Sequence, residues 1–205
     1  MNAIQKVFVS SALLFLFGAC VTTKQFYKPY EDEELNGREP GVSAMIIKSN
    51  GEILKGNKIS FPKGNLYNAF GQLNKDKQWI AIDGQKVDDK DWIAYQTEKG
   101  YMHSFTSGSG INITVARLRK GKISLYNYVM DYDSKDTRTD FHIFVFEKQK
   151  DVLQKLDYGN FEAAVSDNNQ AVQRLRELYP KGRINLNKDA NNLKNLIEIV
   201  ELYNR

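Results

Sequence analysis

"INITVARLRKGKISLYNYVMDY", residues Ile111 to Tyr132, decides the fold. Two runs, INITVARL and ISLYNYVMDY, flank the polar turn Arg119-Lys120-Gly121-Lys122. Both runs are rich in β-branched and aromatic residues, which suit a pleated, half-buried surface. Such runs joined by a tight turn predict an antiparallel hairpin. The same pattern repeats on both sides. Upstream, VSAMIIKS leads through Asn50-Gly51 into EILKGNKISF. Asn-Gly is the strongest short hairpin signal, because a type I′ turn needs positive φ at both central residues. QWIAIDGQKV turns at Asp83-Gly84, WIAYQT and YMHSFT flank Glu98-Lys99-Gly100, and FHIFVFE closes the series. Residues 42–148 are therefore expected to form an antiparallel β-sheet, folded into a sandwich or a partly closed barrel. LYNAFGQL (Leu66 to Leu73) leans toward strand.

After Glu147 the period changes. KDVLQKLD (Lys150 to Asp157) allows a short helix. AVQRLRELY places Val172, Leu175, Leu178 and Tyr179 on one helical face, and Pro180 and Gly182 stop it. ANNLKNLIEIVELYNR places Leu193, Leu196, Ile197, Val200 and Tyr203 on one face with charge opposite. Leu186 and Asn187 are placed to staple and cap that last helix. Stripes this short are not stable alone, so residues 149–205 are expected to pack as a helical C-terminal segment against the sheet. The fold class is α+β, and the two regions form one compact unit.

The totals narrow the class of protein. The chain has 205 residues, 41% hydrophobic and 26% charged, with a net charge of +4. That composition supports a packed core and excludes a disordered chain. Acids and bases are interspersed, so no basic stripe points to nucleic acid. The one cysteine, Cys20, cannot close an internal disulfide.

Cys20 ends the only long apolar run, VFVSSALLFLFGAC from Val7. A membrane-spanning helix needs about 20 apolar residues to cross a hydrocarbon core about 30 Å thick, and this run falls short. Lys6 in front and the small Gly18-Ala19 pair at its end fit a secretory signal peptide over residues 1–19. Phe17-Gly18-Ala19-Cys20 resembles the lipobox of bacterial lipoproteins, although Phe17 stands where leucine is usual and Leu16 is one step off. The resemblance implies cleavage before Cys20, a diacylglyceryl group on its thiol and an amide-linked third chain. At about 0.8 kcal/mol per buried CH₂, two or three chains anchor firmly where one is marginal. Val21 in place of aspartate implies, by the same resemblance, delivery to the outer membrane, with the domain on its periplasmic or cell-surface side. Residues 20–41 then read as the lipidated cysteine and a flexible polar tether. Within it Glu31-Asp32-Glu33-Glu34 is a solvated linker or a surface-sorting signal. The closing segment FEAAVSDNNQAVQRLRELYP…LKNLIEIVELYN also resembles uncharacterised secreted envelope proteins of Gram-negative bacteria, which implies no known activity.

No motif calls for a catalytic group, metal or cofactor. His103 and His142 lie in expected strands, without the HExxH or cysteine partners of a zinc site. DYDSKDTRTD (Asp131 to Asp140) fails as an EF-hand, because Lys135, Asp136 and His142 stand at ligand or glycine positions. It reads as a solvated hairpin loop. TSGSGIN (Thr106 to Asn112) is neither a dinucleotide loop, a Walker loop nor a nucleophile elbow, and reads as a flexible turn. Asp88, Asp89 and Asp91 supply carboxylates, but a glycosidase needs two at a set distance across a cleft. The feature left is aromatic. Strand alternation puts Tyr126, Tyr128, Met130 and Tyr132 on one face. That row is either inner core or a candidate binding surface, since tyrosine offers broad contact at low entropy cost. The expected function is an outer-membrane-anchored envelope lipoprotein that binds or supports an envelope protein or glycan without catalysis. The alternative is a hydrolase acting on envelope or dietary polymers.

Overall fold

A computed structural model describes residues 37–61, 79–106, 112–134, 137–186 and 190–205. The stretch read as a signal peptide (1–19), Cys20, Glu31–Glu34, LYNAFGQL, residues 107–111 of TSGSGIN and Asn187 lie outside the described residues.

The strands follow the turn signals. The large sheet holds β1 (Ala44–Lys48), β2 (Ile53–Gly56), β6 (Trp92–Thr97), β7 (Gly100–Thr106), β8 (Asn112–Arg119), β9 (Ser124–Ser134), β10 (Thr137–Glu147) and β11 (Leu153–Lys155). A small sheet holds β3 (Ile59–Ser60), β4 (Trp79–Ile82) and β5 (Gln85–Asp88). The large sheet is an antiparallel meander from β6 to β11, with the β1–β2 hairpin added beside β6. Asp83 and Gly84 both take positive φ, as a type I′ turn requires; at Asn50-Gly51 only Gly51 does, so the hairpin forms there but its turn is not type I′, and Asn50 instead accepts the Glu52 N–H through its side chain.

Three helices follow: α1 (Tyr158–Val165), α2 (Asn169–Leu178) and α3 (Ala190–Asn204). Asp157 caps α1 by accepting from the Asn160 amide, and Asn168 caps α2 by accepting from the Ala171 amide. The α+β architecture expected from the sequence is thus present.

Cross-strand register fixes which residues share a face. Ile46, Tyr95, Met102, Ala116, Asn127 and Phe144 oppose one another in turn across six strands. We call this the helix face. At its β8–β10 end, Leu118, Leu125, Phe144 and Phe146 pack against Phe161, Leu175, Leu193, Leu196 and Val200. At its other end, Ile46, Tyr95 and Met102 pack with Ile59, Ile80, Ile82 and Val87 of the small sheet. Each fully buried leucine or phenylalanine contributes about 1.5–3 kcal/mol.

The helix α3 is buried more widely than its periodic stripe. Ile199 is fully buried beside the expected face, because α3 lies against both the sheet and α2. Its end is tied down by two adjacent side chains. The Tyr203 hydroxyl donates to Asp167, and the Asn204 amide donates to the Ile123 carbonyl while its oxygen accepts the Ile123 N–H. A Cβ on Gly121 would collide with that amide, so a larger residue there must displace the Asn204 side chain from its bonds to Ile123.

Two local expectations are corrected. Lys150–Asp157 is not a short helix: Leu153–Lys155 forms β11 and pairs with β10. Asp151 takes φ 63° and its N–H donates to Glu147, closing a tight turn that returns the chain as a strand. The Asp131–Asp140 stretch is mostly ladder, with Asp131 opposite Asp140 and Asp133 opposite Arg138. Its backbone is extended rather than wrapped around an ion. The side chains from Val129 to Phe141 lie outside the described residues.

Candidate functional site

The opposite face of the sheet carries the candidate site. Met45, Gln96, Tyr101, Arg117, Tyr126 and Val145 stand opposite one another from β1 to β10, in a single row across the strands. The row mixes apolar, aromatic and charged groups, and nearly all of it is buried.

Its centre is Arg117. The side chain is 5% exposed, with the guanidinium 3.5 Å above the Tyr101 ring. A buried arginine needs partners for its donors, since an unpaired buried charge is strongly destabilising. Those partners come from residues 37–42. Arg117 donates from Nε and Nη2 to the Gly37 carbonyl, at 3.0 and 2.8 Å, and from Nη2 to Glu39 at 2.7 Å. Lys120 donates to the same carboxylate at 3.0 Å. Gln96, fully buried, accepts the Glu39 N–H at 2.6 Å and donates to the carbonyls of Glu39 and Val42. The last residues of the expected tether are therefore docked on the sheet. Burial raises the Glu39 carboxyl, but hydrogen bonds from Lys120 and Arg117 outweigh it and hold the group below its ordinary value of 4.5. Burial raises the Tyr101 phenol despite Arg117 above it.

An aromatic cluster adjoins this polar knot. Phe105 meets Tyr126 edge-on at 5.3 Å, and the His103 ring lies 4.4 Å from Phe105 and 6.2 Å from Tyr126. Tyr126 is buried, and its hydroxyl donates to Glu147 at 2.9 Å. Burial pushes its phenol far above the ordinary range, with the Glu147 charge adding to the effect. His103 is half-buried, and burial holds its imidazole below the ordinary value against the pull of Glu147 and Asp151. Tyr128 is half-buried beside the cluster, with its phenol raised by burial alone.

The tyrosine row is thus resolved residue by residue. Tyr126 is a fixed interior group, Tyr128 sits at the margin, and the side chain of Tyr132 lies outside the described residues. All three occupy β9, and Tyr126 and Tyr128 share the face away from the helices. His142 lies on the helix face, with Nδ1 3.1 Å from the buried Asn127 amide.

Asp88 and Asp91 line a surface pocket of about 350 Å³ with Lys48, Ser49, Asn50 and Lys86. Charges of both signs surround it. Among the described residues no three His, Cys, Asp or Glu groups gather as a metal site, and no helix is long and apolar enough to cross a membrane.

No family model matches the chain. No curated protein and no solved structure matches it either.

The sequence reading passed over Arg117, Gln96, Tyr101 and Glu39. One signal was present. In ITVARLR, Arg117 falls in phase with Ile113 and Val115, so a charge occupies an otherwise apolar strand face. Its partners, about 80 residues earlier in the chain, carry no local mark.

Proposed function

We propose that the chain is an envelope lipoprotein, held at the outer membrane through lipid on Cys20, whose sheet binds or supports an envelope protein or glycan. The anchoring half rests on the lipobox-like Phe17-Gly18-Ala19-Cys20. The observation that carries the binding half is the position of Tyr128 and His103. Both are half-buried and both belong to the face away from the helices; His103 lies against the rings of Phe105 and Tyr126, and Tyr128 packs against the cluster that holds them. A rigid aromatic backing with partly open rings suits stacking on sugar or covering an apolar partner surface. Tyr126 supports the surface and Tyr128 makes the contact.

Two experiments test the halves separately. Cys20→Ser abolishes fatty-acid labelling and membrane retention; a mutant still labelled and retained ends the anchoring reading. A photo-crosslinking residue at Tyr128 in the full chain, in cells, captures an envelope protein or glycan, and Tyr128→Ala loses capture with the melting temperature nearly unchanged. A large melting loss for Tyr128→Ala assigns the residue to the core instead. The hydrolase alternative has one arrangement in its favour, His103 within the field of Glu147 and Asp151. Cleaved rather than intact captured polymer is its signature.

A further inference from the structure

We propose that residues 37–42 are a strap that opens as a unit, held shut on the sheet by the charge of Glu39, and that its opening releases these residues from the sheet ahead of β1. The strap precedes β1 and is gripped by side chains, those of Arg117, Gln96 and Lys120. Its own backbone is set for the path. Gly37 and Gly41 take positive φ, and a Cβ on Gly37 would strike the Arg117 carbonyl. Pro40 fixes a further φ between them.

The grip has two parts with different access to water. The Arg117 side chain is 5% exposed and stays stacked on Tyr101. The Glu39 and Lys120 side chains are 28% and 64% exposed, so the carboxylate lock lies at the solvent margin. Water can replace the lock while the sheet beneath keeps its ladder and its aromatic cluster. Segments held this way open below the free energy of global unfolding. Release frees six residues, roughly 20 Å of extended chain at about 3.3–3.6 Å each. Under the anchored reading above, that length is added between bilayer and domain; the strap itself does not depend on lipid.

Amide hydrogen exchange on the full chain tests the proposal, comparing wild type, Glu39→Gln and Lys120→Gln. The Glu39 amide, which donates to the buried Gln96 side chain, reports the strap and exchanges faster than the amides of β7 and β8. Glu39→Gln keeps the size of the side chain and one acceptor oxygen, the number that Arg117 and Lys120 share, but removes its charge. It speeds strap exchange by roughly tenfold and leaves β7 and β8 unchanged, with Lys120→Gln giving a smaller change of the same kind. A Glu39 amide exchanging only at the β7 and β8 rate in wild type overturns the idea of a separate unit. Strap exchange unchanged by Glu39→Gln overturns the charge lock. A Cys20→Ser chain gives the same strap exchange, so failure of the lipid reading and failure of the strap are separately visible.

Discussion

On the helix face, Leu118, Leu125, Phe144 and Phe146 meet Phe161, Leu175, Leu193 and Leu196, and Phe146 and Phe161 pack edge-on at 5.5 Å. On the other face, the same strands present Arg117, Tyr126 and Val145, and across β6 and β7 Gln96 and Tyr101 complete the row. Both faces are dry at their centres, yet they are held by different physics. Apolar contact is non-directional and tolerates sliding and repacking. A buried arginine with a bidentate grip and a stacked ring tolerates neither, because each donor needs its acceptor. The helix face therefore supplies bulk stability, and the strap face supplies a defined position for the incoming chain.

The contrast can be broken at either face. Leu196→Asp puts an unpaired carboxylate into the helix-face core and costs about 4 kcal/mol or more, read as a lowered urea midpoint. Unchanged melting there removes the claim that α3 is packed. Arg117→Ala strands the Gly37 and Glu39 acceptors and the Gln96 knot, and costs about 2–4 kcal/mol by the same measurement. Gly121→Ala presses on the Asn204 amide where the two regions meet, and costs about 1–3 kcal/mol; retention of full stability shows that the turn can shift. At the small end, Ile53→Thr on β2 changes stability by at most about 0.5 kcal/mol, since that side chain is half in solvent.

Acid sharpens the comparison without a mutation. Burial raises the Glu39 carboxyl, but the hydrogen bonds and charges of Lys120 and Arg117 outweigh it and keep the group charged below its ordinary 4.5. A carboxyl with a depressed folded value stabilises fully above its unfolded value, and that contribution is lost as pH falls through the folded one. Lowering pH below 4.5 therefore lowers the protection of the strap, measured as exchange relative to the intrinsic rate at each pH, before it disturbs α2 and α3. Simultaneous loss at both faces speaks against a separate strap.

Turns and strands were legible because each hairpin carries its own chemistry, as in Asn50-Gly51 and Asp83-Gly84. The last two helices were legible from the stripes Val172/Leu175 and Leu193/Leu196/Val200. Strand β11 was not: LQKL satisfies a helical period as well as a strand, and only its partner β10 decides between them. Ile199 was missed for a related reason, since a helix packed on two sides buries more than one stripe. That Tyr126 and Tyr128 share a face was legible, but the split between Tyr126 inside and Tyr128 at the margin was not. Alternation gives the phase of a strand and says nothing of what lies above each residue.

The sequence by itself determined the α+β order of elements, the turn positions and the apolar faces of the closing helices. These depend on residues close together in the chain, through turn dihedrals, helical period and β-branching. Only the tertiary structure decided that Gln96, Tyr101 and Arg117 fall in one line and that Gly37–Val42 lies across them. That alignment depends on cross-strand register over two strand pairings, β6–β7 and β7–β8, and a shift of one residue in either turns a side chain to the other face. The meaning of Glu39 and Arg117, some 80 residues apart, is set there.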